Sequence, residues 1–109
     1  MDPVSFCTWN GKFESSVGNE NVPVELQHPE WAVATVFYDD GMEAAWFEYL
    51  CKPLGNGRYA VLGLEEQSGY TTTMGSEGPV VEDVAPTGTF TKQSGGLDVQ
   101  AAAAWMAQQ

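Results

Sequence analysis

The sequence predicts a mainly β (α+β) fold: an antiparallel sheet or small barrel of about six to eight strands, with one C-terminal helix. Three observations lead there. Most of the large apolar side chains fall in one run, Trp31 to Leu64, which is rich in β-branched and aromatic types. Turn signals built from Gly, Asn, Asp and Pro recur about every 10 to 15 residues, too often for a chain of long helices. The last stretch, Leu97 to Ala107, is alanine-rich and carries Asp98 in its first turn, as a helix start does.

In chain order, Val4 to Val17 reads as a β-hairpin around Asn10-Gly11, with Thr8 opposite Phe13, Cys7 opposite Glu14 and Val4, Phe6, Phe13 and Val17 as its apolar face. Val22, Val24 and Leu26 alternate with Pro23 and Glu25 over too few residues for more than an edge strand. Residues 31 to 38 are almost wholly apolar, so a strand there is central and covered on both faces. Asp40-Gly41 suits a two-residue type I′ turn, which sets Phe37 opposite Ala44 and Thr35 opposite Trp46. A four-residue loop from Leu54 to Gly57 then pairs Pro53 with Arg58 and Cys51 with Ala60. It spares Pro53 the ladder hydrogen bond that a tighter turn demands.

This alternation puts Ala32, Ala34, Val36, Ala45, Phe47, Tyr49, Cys51, Ala60, Leu62 and Leu64 on one face, the expected core. Trp31, Val33, Phe37, Trp46, Glu48, Leu50, Tyr59 and Val61 take the other. A helix over residues 41 to 52 is the rival reading: Asp40 would cap it, Glu43 would stand at the capping-box position, and Met42, Ala45, Trp46, Tyr49 and Leu50 have helical spacing. That helix would turn Phe47 to solvent and would need a parallel crossover, so the strand is preferred. Beyond the meander come a strand over Tyr70 to Met74, the loop GSEGP (75 to 79), a further strand over Val80 to Val84, and a half-exposed strand over Thr87 to Lys92. The helix follows, with an apolar stripe of Leu97, Ala101, Ala104 and Trp105.

The chain of 109 residues is long enough for one core, so residues 1 to 109 are read as a single domain. Fifteen acidic residues against four basic ones give a formal charge of −11, a field that repels nucleic acid and anionic membranes. The N-terminal stretch has no basic region followed by an apolar core, and no apolar run approaches a membrane span; the expected location is the cytoplasm. Cys7 and Cys51 make no disulfide framework and are read as reduced packing residues.

No catalytic set emerges. His28 stands alone in a loop, and the spacing around it matches no zinc pattern; neither cysteine carries a nucleophile signature; GSEGP lacks the lysine, and the hydroxyl residue next to it, of a phosphate loop; Asp39-Asp40-Gly41 lacks the alternating oxygens of a calcium loop. No metal or cofactor is expected. Glu48, interrupting an apolar run beside Trp46, is the one carboxylate placed as a general acid would be, and it has no identifiable second carboxylate.

Two features exceed what a fold requires. Carboxylates gather at turns: Asp39, Asp40 and Glu43 at one tip, Glu65 and Glu66 at another, and Glu77, Glu82 and Asp83 further on. The second sheet face, with Trp31, Phe37, Trp46 and Tyr59, is more aromatic than a solvated surface. Small size, acidity and the lack of a catalytic set resemble the general character of phage-encoded anti-defence inhibitors and nucleic-acid mimics. The resemblance is compositional and covers no motif. It implies a non-catalytic binding protein in which Asp39, Asp40, Glu43, Glu65, Glu66, Glu82 and Asp83 meet a basic surface of a protein partner, of the kind that holds nucleic acid. The alternatives are a small enzyme or ligand-binding barrel with a pocket near Glu48, and a structural assembly subunit or homodimer using the aromatic face.

Overall fold

A computed structural model describes residues 7 to 109, without the side chains of Cys7 and Thr8. The described residues form a curled half-barrel of antiparallel strands with one C-terminal helix. The strands are β1 (Cys7–Ser15), β2 (Ala32–Asp39), β3 (Ala44–Gly55), β4 (Arg58–Gly63), β5 (Ser68–Gly75), β6 (Gly78–Pro79) and β7 (Gly88–Thr89), and the helix is α1 (Val99–Ala107). β1 to β6 neighbour one another in sequence order, while β7 pairs with β5. Residues 44 to 55 are therefore strand and not helix, and β2 is central, between β1 and β3.

The registers correct the sequence reading in three places. β2 and β3 pair as Phe37 with Trp46 and Asp39 with Ala44, two residues from the expected register. The turn is a four-residue loop, because Asp40 Oδ1 accepts from the amides of Met42 and Glu43 and holds it open. An even shift leaves the faces of both strands as expected. β3 and β4 pair as Cys51 with Val61 and Pro53 with Tyr59, and then Gly55 with Arg58, so Leu54 is left over as a bulge. That one-residue shift flips β4: Ala60 and Leu62 join Val33 and Leu50, while Tyr59 and Val61 join Tyr49 and Cys51. At Asn10-Gly11 no hairpin forms. β1 runs through, with Trp9 opposite Val36 and Phe13 opposite Ala34, so that Asn10, Gly11 and Lys12 loop out against Thr35. The loop is closed by Asn10 Oδ1 accepting from the Lys12 amide. Val4 and Phe6 of the expected hairpin lie outside the described residues, and Val17 is exposed.

Both faces of the sheet are buried, in different places. The inner face of the curl carries Ala34, Val36, Tyr49, Cys51, Val61 and Tyr70, with Trp9, Phe47, Tyr59 and Met74 against them. Phe13 of β1 stacks on Tyr59 of β4 across this interior, with ring centroids 5.9 Å apart. Gly78 closes the other side, where a Cβ would come within 2.8 Å of Val36. The outer face is covered by a 3-10 turn (Val24–Leu26) and by α1. The expected edge strand over 22 to 26 is thus a correction: Pro23 leads into a turn that buries Val22 and Leu26 against Trp31, Val33 and Leu50.

Ser16 fastens this segment, its buried hydroxyl lying 2.6 Å from the Trp31 carbonyl and 2.7 Å from that of His28. Asp98 is the N-cap of α1, its side chain accepting from the Ala101 amide. The buried positions of α1 are Ala102, Trp105 and Met106, and Ala104, expected in the stripe, is exposed. Residues 80 to 84 are irregular instead of a strand, and only Gly88–Thr89 of the stretch 87 to 92 is strand. No helix among the described residues is long and apolar enough to cross a membrane.

Candidate partner-binding surface

The β2–β3 tip is built by its own carboxylates. Asp39 Oδ1 accepts from the Gly41 amide at 2.9 Å, and Asp40 Oδ1 accepts from Met42 and Glu43 at 2.9 and 2.6 Å. The Tyr38 hydroxyl donates to the second oxygen of Asp40. The amides of Glu43 and Met42, followed by the Tyr38 hydroxyl, hold the Asp40 carboxyl below its ordinary range. Both aspartates shape the loop through these bonds, and Glu43 is exposed beside them.

Next to the tip, Trp46 stands on the outer face beyond the reach of α1. It is 64% exposed, and its ring lies 4.6 Å from that of Phe37, the residue it pairs with across the ladder. Met42, in the tip loop, is 93% exposed. Trp46 borders a shallow recess of about 290 Å³ completed by Asn21, Glu48, Leu64 and Glu65. Here Asn21 Nδ2 donates to Glu48 at 3.3 Å, which occupies the carboxylate once singled out as a general acid. Glu66 is turned away: its side chain folds over Gly63 and accepts from the Tyr49 hydroxyl at 2.8 Å.

The candidate residues thus fall into separate groups. Asp39, Asp40, Glu43, Trp46, Glu48 and Glu65 share one end of the sheet. Glu82 and Asp83 lie elsewhere, in the segment after β6, where Asp83 takes a positive φ of 63°. Trp31, Trp46 and Tyr59 do not form one aromatic surface. Trp31 is 3% exposed and packs 6.0 Å from Trp105 beneath α1, and Tyr59 is turned into the half-barrel by the flip of β4. His28 is exposed, with its Nδ1 accepting from the Glu30 amide, and no group of three His, Cys, Asp or Glu side chains able to hold a metal occurs among the described residues.

The sequence did not single out a second concavity. A cleft of about 310 Å³ opens at the mouth of the half-barrel, lined by Val36, Tyr49 and residues 75 to 82. Its walls come from residues 75 to 82, which the sequence reads as a loop followed by a strand, so nothing in the residue pattern pointed to it.

Comparison with known proteins finds no matching family model, no matching curated protein and no matching solved structure.

Proposed function

We propose that the chain is a non-catalytic binding protein that docks the acidic β2–β3 end of its sheet onto a basic surface of a protein partner, in the manner of anti-defence inhibitors and nucleic-acid mimics. The observation that carries this reading is Trp46, a large aromatic side chain held two-thirds exposed on β3, with Glu48 and Glu65 beside it in the recess and the acidic tip next to it. Aromatic anchors ringed by polar groups supply most of the energy in protein interfaces, and charge of one sign steers the encounter. The indole face also suits an arginine side chain, whose guanidinium can stack on it while meeting Glu48 or Glu65.

The four basic residues stand outside the recess beside Trp46. Lys52 pairs with Glu30 at 3.3 Å and donates to the Gln109 carbonyl, and Arg58 donates to the Thr71 carbonyl. Lys12 lies in the β1 bulge and Lys92 in the turn before α1.

The test is capture of partners from host lysate on immobilised protein, followed by association kinetics with the purified partner at low and moderate salt. Asp39→Asn, Asp40→Asn and Glu43→Gln combined keep the oxygen acceptors that shape the loop and remove three charges. The expected result is an association rate that falls steeply with salt in the parent and is slower at low salt in the variant. Equal rates for both proteins at low salt would refute docking through this end.

A further inference from the structure

The cleft at the mouth of the half-barrel lies apart from the acidic tip and has a chemistry of its own. Its floor is Val36 and Tyr49 from the inner face of β2 and β3, and its wall is Pro79, Val80 and Val81. Glu77 and Glu82 stand among these apolar groups, and no Lys or Arg lines the cleft. Glu77 is half-buried and makes no hydrogen bond or ion pair with any described residue. Two carboxylates beside an apolar cleft that no cation lines present a charge that an ammonium group complements.

The wall is preformed. Gly78 is seated against Val36 and Trp9 where no larger residue fits, the Val80 amide donates to the Thr73 carbonyl at 3.0 Å, and the Thr72 hydroxyl donates to the Val80 carbonyl. These bonds fix the wall against β5 and leave the cleft a defined concavity, small enough that its fitting occupant is a small molecule. The volume of about 310 Å³ corresponds to roughly ten water molecules and sits at the small end of ligand pockets, which favour the mouths of β-barrels.

We propose that this cleft binds a small cationic amphiphile, with a compact aromatic or branched aliphatic body on Val36, Tyr49, Val80 and Val81 and an ammonium group between Glu77 and Glu82. The proposal is independent of the docking surface around Trp46.

The test uses three probes with the same phenyl body and different heads: phenethylamine, phenethyl alcohol and 3-phenylpropionate, titrated into the ¹⁵N-labelled full chain. Amide shifts should cluster at residues 36, 49 and 75 to 82, with the amine binding best and the carboxylate worst. Glu77→Gln with Glu82→Gln should weaken the amine about three- to tenfold, the range expected of two partly exposed ion pairs, and leave the alcohol within about twofold. Glu82→Gln alone, at an exposed position, keeps the comparison available if the double variant misfolds. Equal binding of all three probes, shifts centred on the Trp46 recess, no shifts at millimolar probe, or an amine affinity untouched by the glutamine variants would each overturn the proposal.

Discussion

Gly69 is the floor on which Trp105 lies: a Cβ at Gly69 would come within 2.6 Å of the indole ring. Gly69 pairs with Gly88 across β5 and β7, and a Cβ at Gly88 would come within 3.0 Å of the same ring. The indole nitrogen donates to the Thr87 hydroxyl at 3.0 Å, and Phe90 and Trp31 flank the ring at 5.8 and 6.0 Å. Two adjacent glycines thus make the flat place where the helix is anchored. Gly69→Ala should lift Trp105 and destabilise the fold by about 1 to 3 kcal/mol, as overpacking does. Urea unfolding that leaves the variant equal to the parent would mean that α1 is not held through this contact.

Cys51 is buried in the half-barrel interior, and burial pushes its thiol up to about 12 from an ordinary 9.0. The native thiol should resist alkylation at pH 8 and react once the protein is unfolded. A raised acid pKa means that the folded state keeps a proton which the unfolded state releases above pH 9. Stability contributed by this group is therefore full below pH 9 and falls by about 1.4 kcal/mol per unit between pH 9 and 12. Comparing Cys7→Ser with Cys7→Ser/Cys51→Ala isolates the effect from other groups that titrate in this range. Parallel stability curves for the two variants would place Cys51 in contact with water.

Asp40 has the opposite sign. Hydrogen bonds from the amides of Glu43 and Met42 hold its carboxyl below 3.8, so the folded state favours the charged form. The stability this contributes is present above pH 3.8 and is lost as pH falls through the lower folded value. Asp40→Asn retains the acceptor at Oδ1 and removes the titration. Its melting temperature should change less than that of the parent between pH 5 and 2; an identical acid response would assign the tip's pH dependence to other groups.

What could be read from the sequence was whatever local chemistry decides. Asp98, expected in the first turn of a helix beginning at Leu97, instead caps a helix that begins at Val99, and the alternation of β2 and β3 survived a two-residue error in register because the side-chain period is two. The misreadings have the same root. Whether the β3–β4 connection holds an even or an odd number of residues depends on the bulge at Leu54, which no local signal announces, and one residue moved Ala60, Leu62, Tyr59 and Val61 to opposite faces. Asn10-Gly11 carries a hairpin signal, but the chain pairs through it with β2, a choice made by tertiary packing of Trp9 and Phe13 across the half-barrel. The acidic tip was visible in the sequence as a cluster. Its union with Trp46, Glu48 and Glu65 depends on the curl and on the β4–β5 turn, and the cleft walled by residues 75 to 82 depends on Gly78 meeting Val36.

Trp46 offers the cleanest separation of fold from binding. Sequence alone places Trp46 on an aromatic sheet face with Trp31 and Tyr59, where its removal would threaten the sheet. The structure leaves it two-thirds exposed, with Phe37 as its aromatic neighbour, so Trp46→Ala forfeits one exposed ring pair. Such a pair contributes about 0.5 to 1.5 kcal/mol beyond the area it buries, and only a third of the side chain is buried, so the variant should fold with a modestly lowered melting temperature. Its affinity for the captured partner should fall by at least tenfold, chiefly through faster dissociation, because an aromatic anchor acts after the encounter. The charge-neutralised tip, by contrast, should slow association and leave dissociation nearly unchanged. The two lesions thus have different kinetic signatures on one surface. A Trp46→Ala protein that is fully folded and dissociates from the partner no faster than the parent would move the interface away from this end of the sheet.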